Sequence, residues 1–310
     1  MVINASFKRF LKHSLSLTLV VGLIYYLGAN WDDFSSVFNA TWQQLAALVL
    51  CILVTWVASS LQSLILLRFL GVRVGLWENL VLFVAMILGN YLPMRLGSVI
   101  RMRYFKKIHD LQYGRFVGIT GVRTLILLFF SCLFVAIGLI WLKGAEPVAI
   151  WTFMGLLVGM MVMSAGALLI PAYGVDESKS VFTRVLSDFL SGFSILRSCP
   201  RLFWQLGGLV LVQFLMLAIR LRISFETINV ELTPSLLFIL APATTLVAFL
   251  SLTPGNIGLR EWTIGVIAMA SGLDFGSSVF AASLDRGVLL VCTFIFGSAP
   301  LAYVWLRTTR

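Results

Sequence analysis

The sequence predicts an all-α, polytopic integral membrane protein, and three observations carry that expectation. Of the 310 residues, 60% are apolar and only 12% are charged, about half the ~25% charged share of an ordinary globular domain. Apolar runs long enough to cross ~30 Å of hydrocarbon recur along the chain. The lysines and arginines gather between those runs, where no stretch remains for a soluble catalytic domain.

The net charge of +10 would suggest nucleic acid in a soluble protein. Here the basic residues flank spans, where they set orientation and meet anionic headgroups. Membrane lipids are therefore the expected partners, and nucleic acid is not. Cys51, Cys132, Cys199 and Cys292 are far apart without C-x-x-C spacing, and the two histidines, His13 and His109, lie in basic flanks. No disulfide, metal site or cofactor is expected from such a pattern. Nucleophile-elbow, P-loop and metal-spaced signatures are missing, and Asp32-Asp33 reads as a solvated loop beside Trp31. The chain is not expected to be an enzyme.

Taken in order, Lys8, Arg9 and Lys12 precede an apolar run over 14–29. It reads as an uncleaved first helix, with a signal peptide as the other reading. The loop around Trp31–Asp33 lacks basic residues up to Gln44, which places it outside and the N-terminus in the cytoplasm. A second span over 43–67 returns to Arg68 and Arg73. The run 76–92 then meets Pro93 and the densest basic cluster: Arg95, Arg101, Arg103, Lys106, Lys107 and Arg115. A full crossing here would put that cluster outside, against the positive-inside rule. A re-entrant hairpin turning at Pro93–Gly97 removes the conflict, because protein or water can cover its tip.

Residues 116–142 cross outward carrying Arg123, and 148–171 cross back. The stretch 172–201 is the cytoplasmic connector between two halves, 43–142 and 202–306. Apolar residues at 181, 182, 185, 186, 189 and 190 suggest an amphipathic surface helix there, an ordinary connector being the plainer reading. Residues 202–219 cross outward to a loop with Arg220, Arg222, Glu226 and Glu231. The run 235–252 leads into Pro254-Gly-Asn-Ile-Gly-Leu-Arg-Glu261, a second apolar piece over 262–273 leaves it, and 279–306 ends beside Arg307 and Arg310. The expected architecture is six full spans plus two re-entrant helical hairpins. Opened hairpins would instead give about eight to ten membrane helices with the same cytoplasmic C-terminus.

Pro93-Met-Arg-Leu-Gly97 and Pro254-Gly-Asn-Ile-Gly258 share a Pro-x-x-aliphatic-Gly pattern, and each leads to an intramembrane arginine: Arg123 lies 26 residues after Gly97, and Arg286 lies 28 after Gly258. With the first hairpin opening inside and the second outside, this is the layout of an inverted repeat. The tip residues Pro93, Gly97, Pro254, Gly255, Asn256 and Gly258 break helices and free backbone groups. The helix that follows each tip aims its positive end into the membrane, where anions bind. The candidate binding residues are Arg95, Ser98, Arg101, Arg123, Arg260, Glu261, Asp285 and Arg286. Ionisable residues inside a membrane are costly and tend to face a cavity or a partner. A structural role is the other reading: Glu261 neutralising Arg260, or Asp285 and Arg286 forming a buried pair.

Pro254-Gly-Asn-Ile-Gly-Leu-Arg-Glu261 resembles the Pro-Gly-Gly-[Leu/Ile]-Gly-x-Arg-Glu signature of the transmembrane region of lysylphosphatidylglycerol synthetases and their stand-alone relatives. Leu92-Pro-Met-Arg-Leu-Gly97 with Arg101 is similar to the first-half motif, and Arg123 and Arg286 match arginines closing each half. The resemblance spans roughly residues 10–306. It implies a lipid-translocating region without the synthetase domain. Ser98 stands where the family carries Glu, and Asn256 where it carries the second Gly; the first change removes an acidic partner for Arg95 or Arg101.

The leading expectation is an inner-membrane flippase or translocase for an anionic phospholipid or polyprenyl-phosphate glycolipid. Two alternatives stand beside it. One is a secondary transporter of a small organic or inorganic anion; the other is a non-transporting partner of a glycosyltransferase or lipid-modifying enzyme. The topology has a direct check: in intact cells, Lys106→Cys should be shielded from an impermeant thiol reagent added outside. Labelling there would overturn the first hairpin.

Overall fold

The computed structural model describes residues 21–29, 40–91, 96–141, 155, 157–162, 166, 199–249 and 253–309. Most of the expected span over 148–171, nearly all of the 172–201 connector, and Pro93 and Arg95 lie outside the described residues. Of the expected first span over 14–29, residues 21–29 are described and helical.

Among the described residues, eight helices of twelve or more residues form the body: α1 Trp42–Phe69, α2 Leu76–Gly89, α3 Leu96–His109, α4 Tyr113–Trp141, α5 Pro200–Glu226, α6 Pro234–Ala248, α7 Leu259–Ala270 and α8 Phe275–Thr309. Four of them, α1, α4, α5 and α8, are long and apolar enough to cross a membrane. Their outer faces carry exposed large apolar side chains such as Leu50, Leu211, Leu215, Phe294 and Ile295, the pattern of a surface solvated by lipid. The protein is a helical membrane protein.

Local chemistry sets the helix ends. Thr41 opens α1: its hydroxyl accepts from the Gln44 N–H (3.3 Å) and its own N–H donates to Gln44 Oε1 (2.9 Å), a reciprocal cap. Gly71, at φ +78°, closes α1 with Val72 N–H bonded to the Leu67 carbonyl, as in a Schellman motif. Pro234 sits in the first turn of α6, where its missing N–H costs nothing. Asp274 accepts from the Ser277 N–H at the start of α8 (2.7 Å), and that backbone bond holds its carboxyl below the ordinary carboxylate range.

Helices α2 and α3 have 14 residues each. At 1.5 Å per residue, each is about 21 Å long, too short for a ~30 Å hydrocarbon layer. They pair antiparallel. Glu78 in the first turn of α2 bonds Tyr104 (2.9 Å) and meets His109 Nε2 (3.0 Å) near the end of α3. At the other end Gly89 and Gly97 bring the backbones into contact, and a Cβ on Gly97 would sit 2.1 Å from the Met86 carbonyl oxygen. Helix α3 is polar by composition yet amphipathic. Gly97, Ile100, Arg101, Tyr104 and Phe105 face inward, while Arg103, Lys107 and Ile108 are exposed.

The second pair, α6 and α7, is joined through a short 3-10 turn over Pro254–Asn256. Gly255, Asn256 and Gly258 all take positive φ (61°, 59° and 83°), a reversal that glycine and asparagine adopt most readily. With Gly258 as N-cap, α7 starts at Leu259, three residues before the expected 262. Its far end, at Ser271 and Leu273, borders the same groove as Thr233–Leu236 at the start of α6. This pair is also a hairpin.

The two hairpins open at opposite ends of the bundle. Trp141, at the end of α4, lines the groove at the mouth of α6 and α7 and packs on Phe238 (5.8 Å between centroids). At the other end, Arg115 near the start of α4 shares a cleft with Arg73, His109 and Asp110 beside the mouth of α2 and α3. Packing partners exchange accordingly: α6 runs along α4, α2 runs along α8, and α1 lies against α5. One apolar core holds Leu66, Leu82, Phe105, Ile126 and Leu206, and a second holds Leu221, Phe225, Leu240, Ile264 and Ala281.

One expectation is corrected. The crossing expected over 202–219 is a helix continuing to Glu226, so Arg220 lies on a helix with 4% exposure rather than in an outer loop. Leu217, Leu221 and Phe225 continue the apolar face past it, and Asp285 supplies the counter-charge that lets an arginine stay there.

The contact between α2 and α3 leaves no room for a side chain at the tip. Gly97→Ala should lower stability by about 1–3 kcal/mol, as overpacking does, seen as a lower thermal midpoint in detergent relative to Gly208→Ala, where a Cβ meets open space.

Candidate functional site

Two clusters of buried charge and one junction between the hairpin tips make up the candidate site. The first cluster lies between α1, α2, α3 and α4. Arg101 on α3 is 4% exposed. Its Nη2 donates to Ser63 Oγ (2.5 Å) and Asn79 Oδ1 (3.0 Å), and its Nη1 reaches Met86 Sδ (3.7 Å). Asn79 is itself fixed by its Nδ2, which donates to the carbonyl and hydroxyl of Ser60 (2.7 and 2.8 Å). Arg123 on α4 donates from Nε to Gln62 Oε1 (3.2 Å), and Gln62 in turn donates to the Leu206 carbonyl (3.1 Å). Both guanidinium groups lie over the ring of Phe83, at 5.7 Å for Arg101 and 5.4 Å for Arg123. Among the described residues, neither arginine meets a carboxylate.

The second cluster joins α5, α7 and α8. Asp285, fully buried, accepts from Arg220 Nε on Oδ1 and from Arg260 Nη2 on Oδ2, both at 2.7 Å. Glu261, also fully buried, accepts the Gly258 N–H on Oε2 (2.7 Å) and lies 3.8 Å from Arg286 Nε. Its carboxylate therefore occupies the N-terminus of α7, which the sequence had offered to an anion. Arg260 pairs with Asp285 rather than with Glu261. Arg286 turns away from its neighbour Asp285 and bonds the Gly255 carbonyl in the tip of the second hairpin.

That bond is part of the junction. The guanidinium of Arg286 lies over the ring of Tyr91 (5.5 Å), a residue in the turn after α2. A Cβ on Gly255 would come within 2.3 Å of the same ring. Arg286 thus touches both tips, Tyr91 of the first and Gly255 of the second. Ser98 closes the first tip: its N–H and hydroxyl both reach Asn90 Oδ1 (3.1 and 3.2 Å). Asn256 donates from Nδ2 to the Ala248 carbonyl (3.4 Å) across the second. Tyr26, from the helical stretch 21–29, packs beside that hairpin against Trp262, Phe275 and Phe280.

The structure thus gathers Arg101 with Arg123, and Arg260, Glu261, Asp285 and Arg286 with one another. It leaves Ser98 at the tip; Pro93 and Arg95 lie outside the described residues. Arg220, Gln62, Ser63, Asn79 and Tyr91 were not singled out from the sequence. The run Ser59-Ser-Leu-Gln-Ser63 inside an apolar span was a readable signal for two of these, Gln62 and Ser63. No grouping of His, Cys, Asp and Glu among the described residues is placed to hold a metal.

Two opposed helical hairpins that meet at their tips, with arginines buried among apolar helices, define a class of helical membrane protein. Within that class the chain belongs to the family described as the lysylphosphatidylglycerol synthase TM region, whose model matches residues 14–297. No curated protein and no solved structure matches it.

Asp285 is the shared partner of two buried arginines. Asp285→Ala should cost roughly 3–5 kcal/mol, because it strands buried charge. The readout is loss of a monodisperse peak and a lower thermal midpoint in detergent. Arg222→Ala, which removes only the exposed pair with Glu226, should change stability by less than about 1 kcal/mol.

Proposed function

We propose that this protein moves a lipid bearing an anionic headgroup across the cytoplasmic membrane. Residues 42–141 and 200–309 act as two halves of an inverted repeat, with both chain ends in the cytoplasm. Membership of a family named for a lipid synthase supports a lipid-related role. The observation that carries the reading is the meeting of the two hairpin tips, Tyr91 and Gly255, from opposite ends of the bundle, with Arg286 bonded to the Gly255 carbonyl and lying over the Tyr91 ring.

In this reading the first hairpin opens toward the cytoplasm and the second toward the outer face. The matched packing of α2 on α8 and of α6 on α4 supports treating the halves as equivalent by exchange. A headgroup entering from one side displaces the contacts of Arg286 with the tip on that side while the other tip stays closed. The acyl chains remain in lipid along the exposed apolar faces of α5 and α8. Alternation between the two closures carries the headgroup past the midplane. No step in this cycle makes or breaks a covalent bond, so the reading assigns the chain no catalysis.

Reconstituted into liposomes, the protein should speed transbilayer movement of a headgroup-labelled phospholipid or polyprenyl-phosphate lipid over that in protein-free vesicles. Arg286→Gln should slow it roughly tenfold or more, the scale of one lost charge-assisted contact. A panel in which no lipid moves faster than in empty vesicles sinks the proposal. Uptake of a soluble anion without lipid movement would favour a small-anion transporter in its place.

A further inference from the structure

The two clusters of buried charge differ in one respect. In the second, Asp285 and Glu261 face Arg220, Arg260 and Arg286, so most of the positive charge is answered from within. In the first, Arg101 and Arg123 have only neutral oxygens, one thioether and aromatic faces. The carboxylate next to Asn79 in sequence, Glu78, is engaged by Tyr104 and His109. Ser98, at the tip of the same hairpin, is bonded to Asn90.

The donor inventory is also unfilled. Arg101 Nε is buried and has no hydrogen-bond partner. Arg123 spends only its Nε, on Gln62, and its two terminal nitrogens have no partner among the described residues. A guanidinium carries five N–H donors and cannot shed its charge. Two such groups, Arg101 buried and Arg123 half-buried, around one phenyl ring among apolar helices call for an anion, since charge away from water is tolerated when paired.

We propose that Arg101 and Arg123 form an oxyanion site that takes a phosphate group, while the Arg220–Arg260–Asp285 cluster serves as a structural clamp. The site rests on the lipid-transport reading only for the identity of its natural ligand. Phosphate suits it because its tetrahedral oxygens can accept from two guanidinium forks set on different helices, whereas a planar carboxylate matches one fork. Gln62 and Ser63, adjacent on α1, each hold one of the two arginines, by Arg123 Nε and Arg101 Nη2. Helix α1 therefore sets the spacing of the pair.

The test is a binding measurement in detergent, separate from any transport assay. Purified protein is titrated with dihexanoyl-phosphatidylglycerol, with the neutral dihexanoylglycerol and with inorganic phosphate, following thermal midpoint and native mass. The wild type and Arg222→Gln should bind the phosphatidylglycerol and not the neutral lipid. Arg123→Gln should weaken that binding roughly tenfold to a hundredfold, the range for losing a charge-assisted partner, and Arg123→Lys should retain part of it. Arg123→Gln gives up one internal hydrogen bond, Nε to Gln62, and the contact with Phe83, so each variant is compared at matched monodispersity, with Arg101→Gln as the second arm. Equal saturation by inorganic phosphate assigns the site to free phosphate, and preference for the short-chain lipid assigns it to a headgroup. Wild-type affinity in Arg123→Gln, or no phosphatidylglycerol binding by the wild type, overturns the site even where liposomes still show lipid movement.

Discussion

Asp285 carries more of this structure than any other residue. One carboxylate, wholly buried, holds Arg220 of α5 and Arg260 of α7 to its own helix α8. Helices in lipid gain little from apolar contact with each other, since lipid tails serve the same purpose. A charge network that joins three of them therefore does what a hydrophobic core does in water. Around it the second hairpin is fixed: Glu261 caps α7 through Gly258, and Arg286 ties the Gly255 carbonyl to α8. The position of Tyr91 follows, because the ring lies against both Gly255 and Arg286.

The halves match in architecture and differ in chemistry. Each has a long helix, a short hairpin and a second long helix carrying an arginine about three turns from its start. The second half contains its own acids. The first half places Ser98 after the tip glycine, and its arginines are held by Gln62, Ser63, Asn79 and Phe83. A transporter with two identical sites would hold its ligand equally at both ends of its path. In the proposed transport cycle, unequal halves let one bind and the other release.

Much of the fold was legible because polarity against position is a strong signal in a membrane chain. The basic cluster from Arg95 to Arg115 argued for a hairpin at Pro93–Gly97, and Pro254–Gly258 marked the second break. What sequence reasoning missed has a common cause. Arg220 was read as a loop residue because a charge after a largely apolar run of span length usually marks a span end; its partner Asp285 lies 65 residues away, and only the fold brings them together. Asn79 and Gln62 were passed over because single polar residues in apolar runs are individually unremarkable. Tyr91 had no signal at all, since its role depends on the tip of the other hairpin. Glu261 was visible but its task was not: a Glu three residues after Gly258 is a cap from within, and it takes the helix N-terminus that an anion would otherwise use.

Helices α4 and α8 run to 29 and 35 residues, about 43 and 52 Å at 1.5 Å per residue. Both exceed a ~30 Å hydrocarbon layer, so each must tilt or project beyond it. The two also carry Arg123 and Arg286, and each lies alongside the hairpin of the other half. Membrane thickness is thereby written into the geometry of the centre. Where the helices tilt rather than project, a bilayer of longer acyl chains draws them upright and one of shorter chains lays them over, shifting the arginines relative to the tips. The surrounding lipid is then more than a solvent for this protein: its chain length bears on where Arg123 and Arg286 stand relative to the two tips.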